Sequence, residues 1–321
     1  MSDYIEVKKL CKTYTVYKRK KLRREKRLIE AVKDVNFNVK RGEFLGYIGP
    51  NGAGKSTTIK MLTGILTPTS GEASVAGYCP WKHRKAYVRN LGAIFGQKTQ
   101  LWWDLPVKDS YAVLKAMYKV PDGKFRNQLN YLVERLEITE FYSQPVRQLS
   151  LGQRMRAELA ASLIHDPEIL FLDEPTIGLD VVSKHGVLKF LRELNENGKT
   201  IFLTTHDLND IETLCKEILI INHGKLIYKG TLSDLKKMAG LPRLLKIRLK
   251  EDSFRLNEEQ KNILDDYSGY YNEENREITL KLFDSQNPAE LAKILFQKFH
   301  IEDFKIQEPG IEEVVKDIYR N

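Results

Sequence analysis

The stretch Glu43–Leu62, EFLGYIGPNGAGKSTTIKML, decides how this 321-residue chain is read. An apolar, strand-like run, Phe44–Ile48, enters a glycine-rich loop that opens directly into a helical pattern. Gly49, Gly54, Lys55 and Ser56 satisfy the spacing G-x-x-x-x-G-K-[ST] in the strand–loop–helix context that gives this motif its meaning. Glycines are needed because backbone N–H groups must wrap closely round phosphate oxygens, and the helix N-terminus adds a favourable dipole. The loop Gly49, Pro50, Asn51, Gly52, Ala53, Gly54 is therefore expected to cradle a nucleotide. Lys55 is placed to reach the β- and γ-phosphates, the Ser56 hydroxyl to ligate Mg2+, and Thr57 to hydrogen-bond the α-phosphate.

Two further apolar runs end in chemistry of the right kind. Glu168–Pro175, EILFLDEP, stops at Asp173 and Glu174, and a parallel strand ending there delivers both carboxylates to the sheet edge that carries the phosphate loop. Asp173 is expected to hold Mg2+ through water. Glu174 is placed to take a proton from the water that attacks the γ-phosphate. Lys199–Asp207, KTIFLTTHD, ends near His206, whose imidazole is placed to contact the γ-phosphate and orient that water. Taken singly, a histidine after a strand is more often structural; three strand ends meeting at one phosphate make a stronger pattern.

Arg147–Pro167, RQLSLGQRMRAELAASLIHDP, lies immediately before the acidic strand and narrows the field. With it, the chain resembles the ATP-binding subunit of bacterial ABC transporters, in an exporter-type branch with separate permease subunits. The resemblance covers nearly all of residues 1–240, in the order CKTY, GPNGAGKST, GQ, LSLGQ, ILFLDEP, IGLD and TTHD. It implies an α/β fold: a P-loop NTPase core with an antiparallel β subdomain and an α-helical subdomain. It also implies that Tyr14 stacks on adenine, that Gln97 senses the γ-phosphate and metal, and that Asp180 belongs to a loop joining two active sites. Ser150, Gly152 and Gln153 begin a helix whose N-terminus attracts an anion. In the resembled family that end faces the γ-phosphate held by a second subunit, so ATP lies between two head-to-tail copies. Ser150 also has the chemistry of a plain helix cap. Leu151 departs from the commoner family pattern, which has glycine there.

Gln97, after the leading glycine of GQKTQLWWDLP, also begins the loop that in the resembled family joins core to helical subdomain and touches the permease. Val107, Tyr111, Leu114 and Tyr118 recur at helical spacing, as do Phe125, Leu129, Leu132 and Leu136. Trp102 and Trp103 stand just before these helices. At least one indole is expected to pack against the permease, since aromatics dominate interfaces; the plainer reading places both in the core.

Between Tyr14 and a strand expected to begin near Ala31, eight of the ten residues from Lys18 to Arg27 are basic. This reads as an insertion, either a solvated hairpin or loop, or a contact for anionic lipid headgroups. Tyr17, three residues from Tyr14, is a rival for the adenine.

Organisation follows: an antiparallel sheet within residues 1–95, helices over 97–165, returning core strands over 166–240, and a small α/β appendage over 241–321. EILIINHGKLIYKGT reads as a hairpin turning at Asn222–Gly224. Beyond it, LLKIRLK and REITLKLF alternate like strands around a helix at NPAELAKILFQKFH. Residues 241–321 hold 13 Lys/Arg against 17 Asp/Glu, so the first 240 carry +13 of a total of +9. A basic surface alone cannot choose among nucleic acid, lipid and phosphorylated ligand. Cys11, Cys79 and Cys215 form no CxxC pair, which speaks against a disulfide framework or zinc site. No run of eighteen apolar residues occurs and no signal-peptide pattern opens the chain, so it is expected at the cytoplasmic face of the membrane, peripheral through its permease. The function expected is ATP hydrolysis by a homodimer that powers a permease for export. The alternative is a soluble ATPase of the same family acting on ribosomes or nucleic acid, which lacks the second ATPase half or long coiled coil such proteins carry.

Overall fold

The computed structural model describes residues 3–20, 23–96, 98–250, 255–283 and 286–320. Contacts divide the chain into two compact units, Met1–Thr231 and Leu232–Asn321.

The first unit opens with β1 (Ile5–Lys20) and β2 (Arg23–Val39), paired antiparallel along nearly their whole length, Lys20 opposite Arg23 and Tyr14 opposite Ile29. The second strand thus starts at Arg23 rather than near Ala31. The alternating β-branched and aromatic residues of Thr13–Tyr17 find cross-strand partners in Lys26–Glu30, so the basic stretch continues as a two-stranded ribbon. β3 (Phe44–Ile48) leads through the phosphate loop to α1 (Lys55–Leu62), and β4 (Ser70–Val75) completes the three-stranded sheet β2-β1-β4.

After the short α2 (Arg84–Tyr87) come β5 (Leu91–Phe95), α3 (Val107–Tyr118), α4 (Asp122–Arg135), α5 (Leu151–Leu163) and β6 (Ile169–Asp173). The chain then runs through α6 (Val181–Glu196), β7 (Thr200–Thr204), α7 (Leu208–Leu214), β8 (Glu217–Asn222) and β9 (Lys225–Thr231). A six-stranded sheet forms in the order β5-β6-β7-β3-β8-β9, parallel except for the closing hairpin β8–β9. β3, β6 and β7 are buried at every position, as a parallel sheet covered on both faces requires.

One core joins the two sheets to α1. Ile5, Val7, Leu10 and Val35 of the antiparallel sheet pack with Leu45, Tyr47, Phe171 and Phe202 of the parallel sheet and with Ile59, Met61 and Leu62 of α1. The rings of Tyr47 and Phe202 lie 5.3 Å apart, and Phe171 and Phe202 5.6 Å apart. The phosphate loop is thereby held between two sheets. The helices α3 and α4 occur where their spacing predicted them, and both pack on α5.

The second unit begins at α8 (Leu232–Ala239), earlier than the expected boundary at residue 241, because α8 packs with α11 (Ile311–Arg320). Between them lie β10 (Arg243–Leu249), α9 (Glu258–Asp266), β11 (Tyr270–Asn272), β12 (Glu277–Leu282), α10 (Pro288–Lys298) and β13 (Ile301–Gln307). They make a four-stranded antiparallel sheet, β11-β12-β10-β13, over its own core of Leu245, Ile247, Leu280, Leu291, Leu295 and Phe299.

Candidate functional site

The phosphate loop is shaped by two close backbone approaches that exclude a side chain. A Cβ on Gly49 would sit 2.3 Å from the Ile221 carbonyl oxygen. Gly54, left-handed at φ 111°, would place one 2.4 Å from the Ala31 carbonyl oxygen. The loop then hands its exposed Asn51 and Gly52 to solvent and Lys55 and Ser56 to the first turn of α1. Lys55 is only 6% exposed, and its Nζ donates to the carbonyl oxygens of Gly49 (2.6 Å) and Pro50 (3.2 Å), so the ammonium lies within the loop. Burial lowers its pKa from the ordinary lysine value, while the charges of Glu174 and Asp173 pull it back.

The strand ends converge as their sequences imply. β6 and β7 are parallel neighbours with Asp173 opposite Thr204, and β7 is also the neighbour of β3, with Thr204 opposite Tyr47. The Thr204 hydroxyl donates to Asp173 Oδ1 at 2.5 Å, which orients the carboxylate. Glu174 takes a left-handed backbone, φ 55°, held by its own N–H on the Thr204 carbonyl at 2.9 Å. For a residue with a Cβ this conformation costs about 1–2 kcal/mol, and it turns the side chain out of the strand direction. Glu174 Oε1 then lies 3.6 Å from His206 Nδ1. Lys55, Asp173, Glu174 and His206 thus form one cluster around the mouth of the loop.

The second group of predicted residues gathers elsewhere. Ser150 caps α5: its hydroxyl accepts from Gln153 N (3.2 Å), and Gln153 Oε1 accepts from Ser150 N (2.9 Å), a reciprocal capping box. The plain cap is therefore present, and the Gln153 side chain is engaged inside its own helix. Gly152 faces the start of α6, where a Cβ would fall 2.5 Å from Ser183 Oγ. Asp180 caps α6 by accepting from Val182 N and Ser183 N, both at 3.0 Å, and the Ser183 hydroxyl, together with these backbone bonds, lowers its pKa from the ordinary aspartate value. Among the described residues no hydrogen bond or ion pair joins 150–153 to the phosphate loop or to the strand-end cluster.

Tyr14 lies on β1 opposite Ile29, two residues before the Ala31 carbonyl that lines Gly54. Tyr17 pairs with Lys26, three rungs further along the ribbon, on the other face. Gln97 lies outside the described residues. Trp102 and Trp103 are 38% and 49% exposed, so neither belongs to the core. The Arg154 guanidinium lies 5.8 Å from the Trp103 ring centre, and Arg147 is paired with Asp104 at 2.9 Å.

Sequence reasoning missed several residues that hold the site. Thr204 is one; its place at the end of an apolar strand beside the acidic one was the available signal. A second is the network of Lys184 on α6 with Asp207 and, at 2.8 Å, Asp210, whose Oδ2 also accepts from Thr176 at 2.7 Å. Asp210 is 1% exposed, and Lys184 is its cationic partner. A third is Glu158 on α5, an acid inside the apolar run MRAELAASL that the helical pattern alone does not explain.

Known proteins carry the same arrangement. Residues 32–177 match the ABC transporter family. The ABC transporter ATP-binding protein NatA of Bacillus subtilis is 31% identical over 66% of this chain and 86% of that protein. The Nod factor export ATP-binding protein I of Ralstonia nicotianae is 36% identical over 64% of this chain and 63% of that protein. A dimeric post-hydrolysis structure of the ATP-binding cassette MJ0796 with ADP and Pi superposes with a TM-score of 0.62, at 28% identity, over 71% of this chain and 98% of that one. By the family match and its likeness to NatA, this chain belongs to the ATP-binding subunits of ABC transporters, and it binds and hydrolyses ATP.

Proposed function

We propose that two copies of this chain, arranged head to tail, close on ATP and thereby drive a separate integral-membrane permease in the direction of export. The observation that carries this reading is the separation of the site into two groups: the strand-end cluster around the phosphate loop, and a capped helix tip at Ser150 that, among the described residues, no hydrogen bond or ion pair joins to it. The tip presents N–H groups and a positive helix end, the features that bind a phosphate. A second copy supplies the triphosphate it faces. Export is favoured by the name of the Nod factor export relative. The relatives carry transport functions, which favours a permease over the ribosome or nucleic acid as the object of the work.

Within one protomer Tyr14 is the better adenine platform than Tyr17, because only Tyr14 lies on the rung beside Ile29, next to the loop. Mg2+ fits Ser56 and Asp173: the donor set is all oxygen, the Ser56 hydroxyl is exposed at the first turn of α1, and Thr204 fixes the carboxylate. The ion supplies charge neutralisation on the β- and γ-phosphates. Glu174 takes the proton of the attacking water as its oxygen bonds to the γ-phosphorus, and the bridging oxygen departs with ADP. His206 holds that water in line, Lys55 offsets charge on the phosphates, and Gln97 reports their presence to the loop that follows. Trp102 and Trp103 meet the permease, which holds the chain at the cytoplasmic face of the membrane, and the ribbon of residues 18–27 touches anionic headgroups.

Dilution tests the shared site. Specific ATPase activity should fall as the protein is diluted below its dimer dissociation constant and recover on concentration. Activity independent of concentration, with light scattering showing monomers, would overturn the reading.

A further inference from the structure

The segment after Gln97 has no helix or strand to satisfy its backbone, yet it runs at the edge of the core, where an unpaired N–H is costly. Glu158, 4% exposed on α5, supplies what is missing. Its Oε1 accepts from the Thr99 hydroxyl, and its two oxygens accept from Gln100 N at 3.1 and 3.2 Å. Gln100 Nε2 returns a bond to the Glu158 carbonyl at 3.2 Å, and Leu101 N donates to Thr99 Oγ1 at 3.1 Å. Among the described residues no cation pairs with this carboxylate; it is satisfied by neutral donors of one loop. Burial raises its pKa above the ordinary glutamate value, against the pull of those hydrogen bonds. A cleft of about 260 Å3 beside the contact is lined by Lys98, Thr99, Glu158, Leu151, Arg154 and Gly178, so the seam extends to the residue after Ser150.

The gripped loop stands between two functional ends. Thr99 is two residues along the chain from Gln97, to which the proposed function gives a phosphate role, and three from the exposed Trp102. The gripping helix begins at Ser150. We propose that Glu158 is a positioning residue that binds the segment of residues 98–101 to the Ser150 helix, so that this segment and the helix, which the proposed function assigns to opposite sites of the dimer, move as a single body. The inference rests on ATP hydrolysis by the shared site and deepens it. Glutamine at this position keeps the shape but turns one acceptor into a donor that opposes the Gln100 N–H.

Steady-state hydrolysis by the full chain tests this, with wild-type activity in the same assay separating failure of this inference from failure of the ATPase reading. In Glu158→Gln, kcat should fall between about tenfold and a hundredfold with KM for ATP within about twofold. The unfolding midpoint should stay near wild type, which a purely structural role would not allow. Thr99→Val should lose activity in the same way, and the double variant should lose no more than Glu158→Gln alone. A folded Glu158→Gln protein with wild-type kcat, or losses that multiply in the double variant, would overturn the proposal. Should Glu158→Gln not fold, Thr99→Val decides alone: unchanged kcat overturns it, and a reduced kcat at unchanged KM supports it.

Discussion

The strand-end cluster and the tip of α5 are built from different kinds of residue: charged side chains and a threonine in the first, serine, glycine and glutamine in the second. Around the phosphate loop, Lys55 is buried against loop carbonyls, Thr204 orients Asp173, and Glu174 lies near His206. At the tip, Ser150 and Gln153 satisfy each other, Gly152 rests on α6, and among the described residues no hydrogen bond or ion pair joins the helix end to the phosphate loop. The difference teaches that completeness is a property of the assembly. Parallel strand ends must converge within one chain because the sheet forces them to, whereas a helix N-terminus is free to point at another molecule.

The comparison breaks first at Glu174. Its replacement by Gln should lower turnover by roughly a hundredfold or more, as loss of a general base does. ATP should remain bound in a closed dimer, visible by gel filtration with labelled nucleotide; persistent hydrolysis would move the base elsewhere. Next comes the network behind the cluster. Lys184→Met strips Asp210 of its cation and should cost about 3 kcal/mol of stability, read by urea unfolding. A pH series sharpens this result. Burial pushes the Asp207 carboxyl up, but the hydrogen bond and charge of Lys184 win and hold it below its ordinary value of 3.8. Its contribution to stability is therefore complete above that pH and fades as pH falls through the depressed value, and Lys184→Met should flatten that part of the curve.

The exposed indoles come third. Trp102→Ala and Trp103→Ala should leave ATP affinity unchanged while weakening association with the permease by roughly 2 kcal/mol for the central residue of the contact. Loss of ATP binding in these variants would place the tryptophans in the nucleotide site instead. The smallest effect on folding belongs to the tip. Ser150→Ala removes one cap bond and should cost about 1 kcal/mol of stability. If the tip serves a partner's phosphates, its hydrolysis should fall further than that loss explains, and equal losses would reduce Ser150 to a cap.

Much of the site was legible because its signals are local. Gly49, Gly54, Lys55 and Ser56 need only their spacing and the strand before them, and the apolar runs ending at Asp173 and His206 announce buried parallel strands. The helices of residues 107–135 and the hairpin at Asn222–Gly224 were equally plain. The ribbon was less so: the lysines and arginines from Lys18 on read equally as a solvated hairpin, a loop or a lipid contact, and the strand pairing of residues 18–20 with 23–25 comes only from the opposite arm. The division at residue 231 was hidden because α8 resembles a connector until α11 is seen against it.

By itself the sequence determined the phosphate loop, the carboxylates that follow the second strand, and the helix that Ser150 begins, since spacing, periodicity and turn chemistry act over a few residues. Tertiary structure alone decided that Thr204 orients Asp173, that Lys184 answers Asp210, and that Glu158 grips Thr99. Those contacts join residues far apart in the chain, and they depend on strand register and on which helix face is buried, quantities that no short stretch of sequence contains.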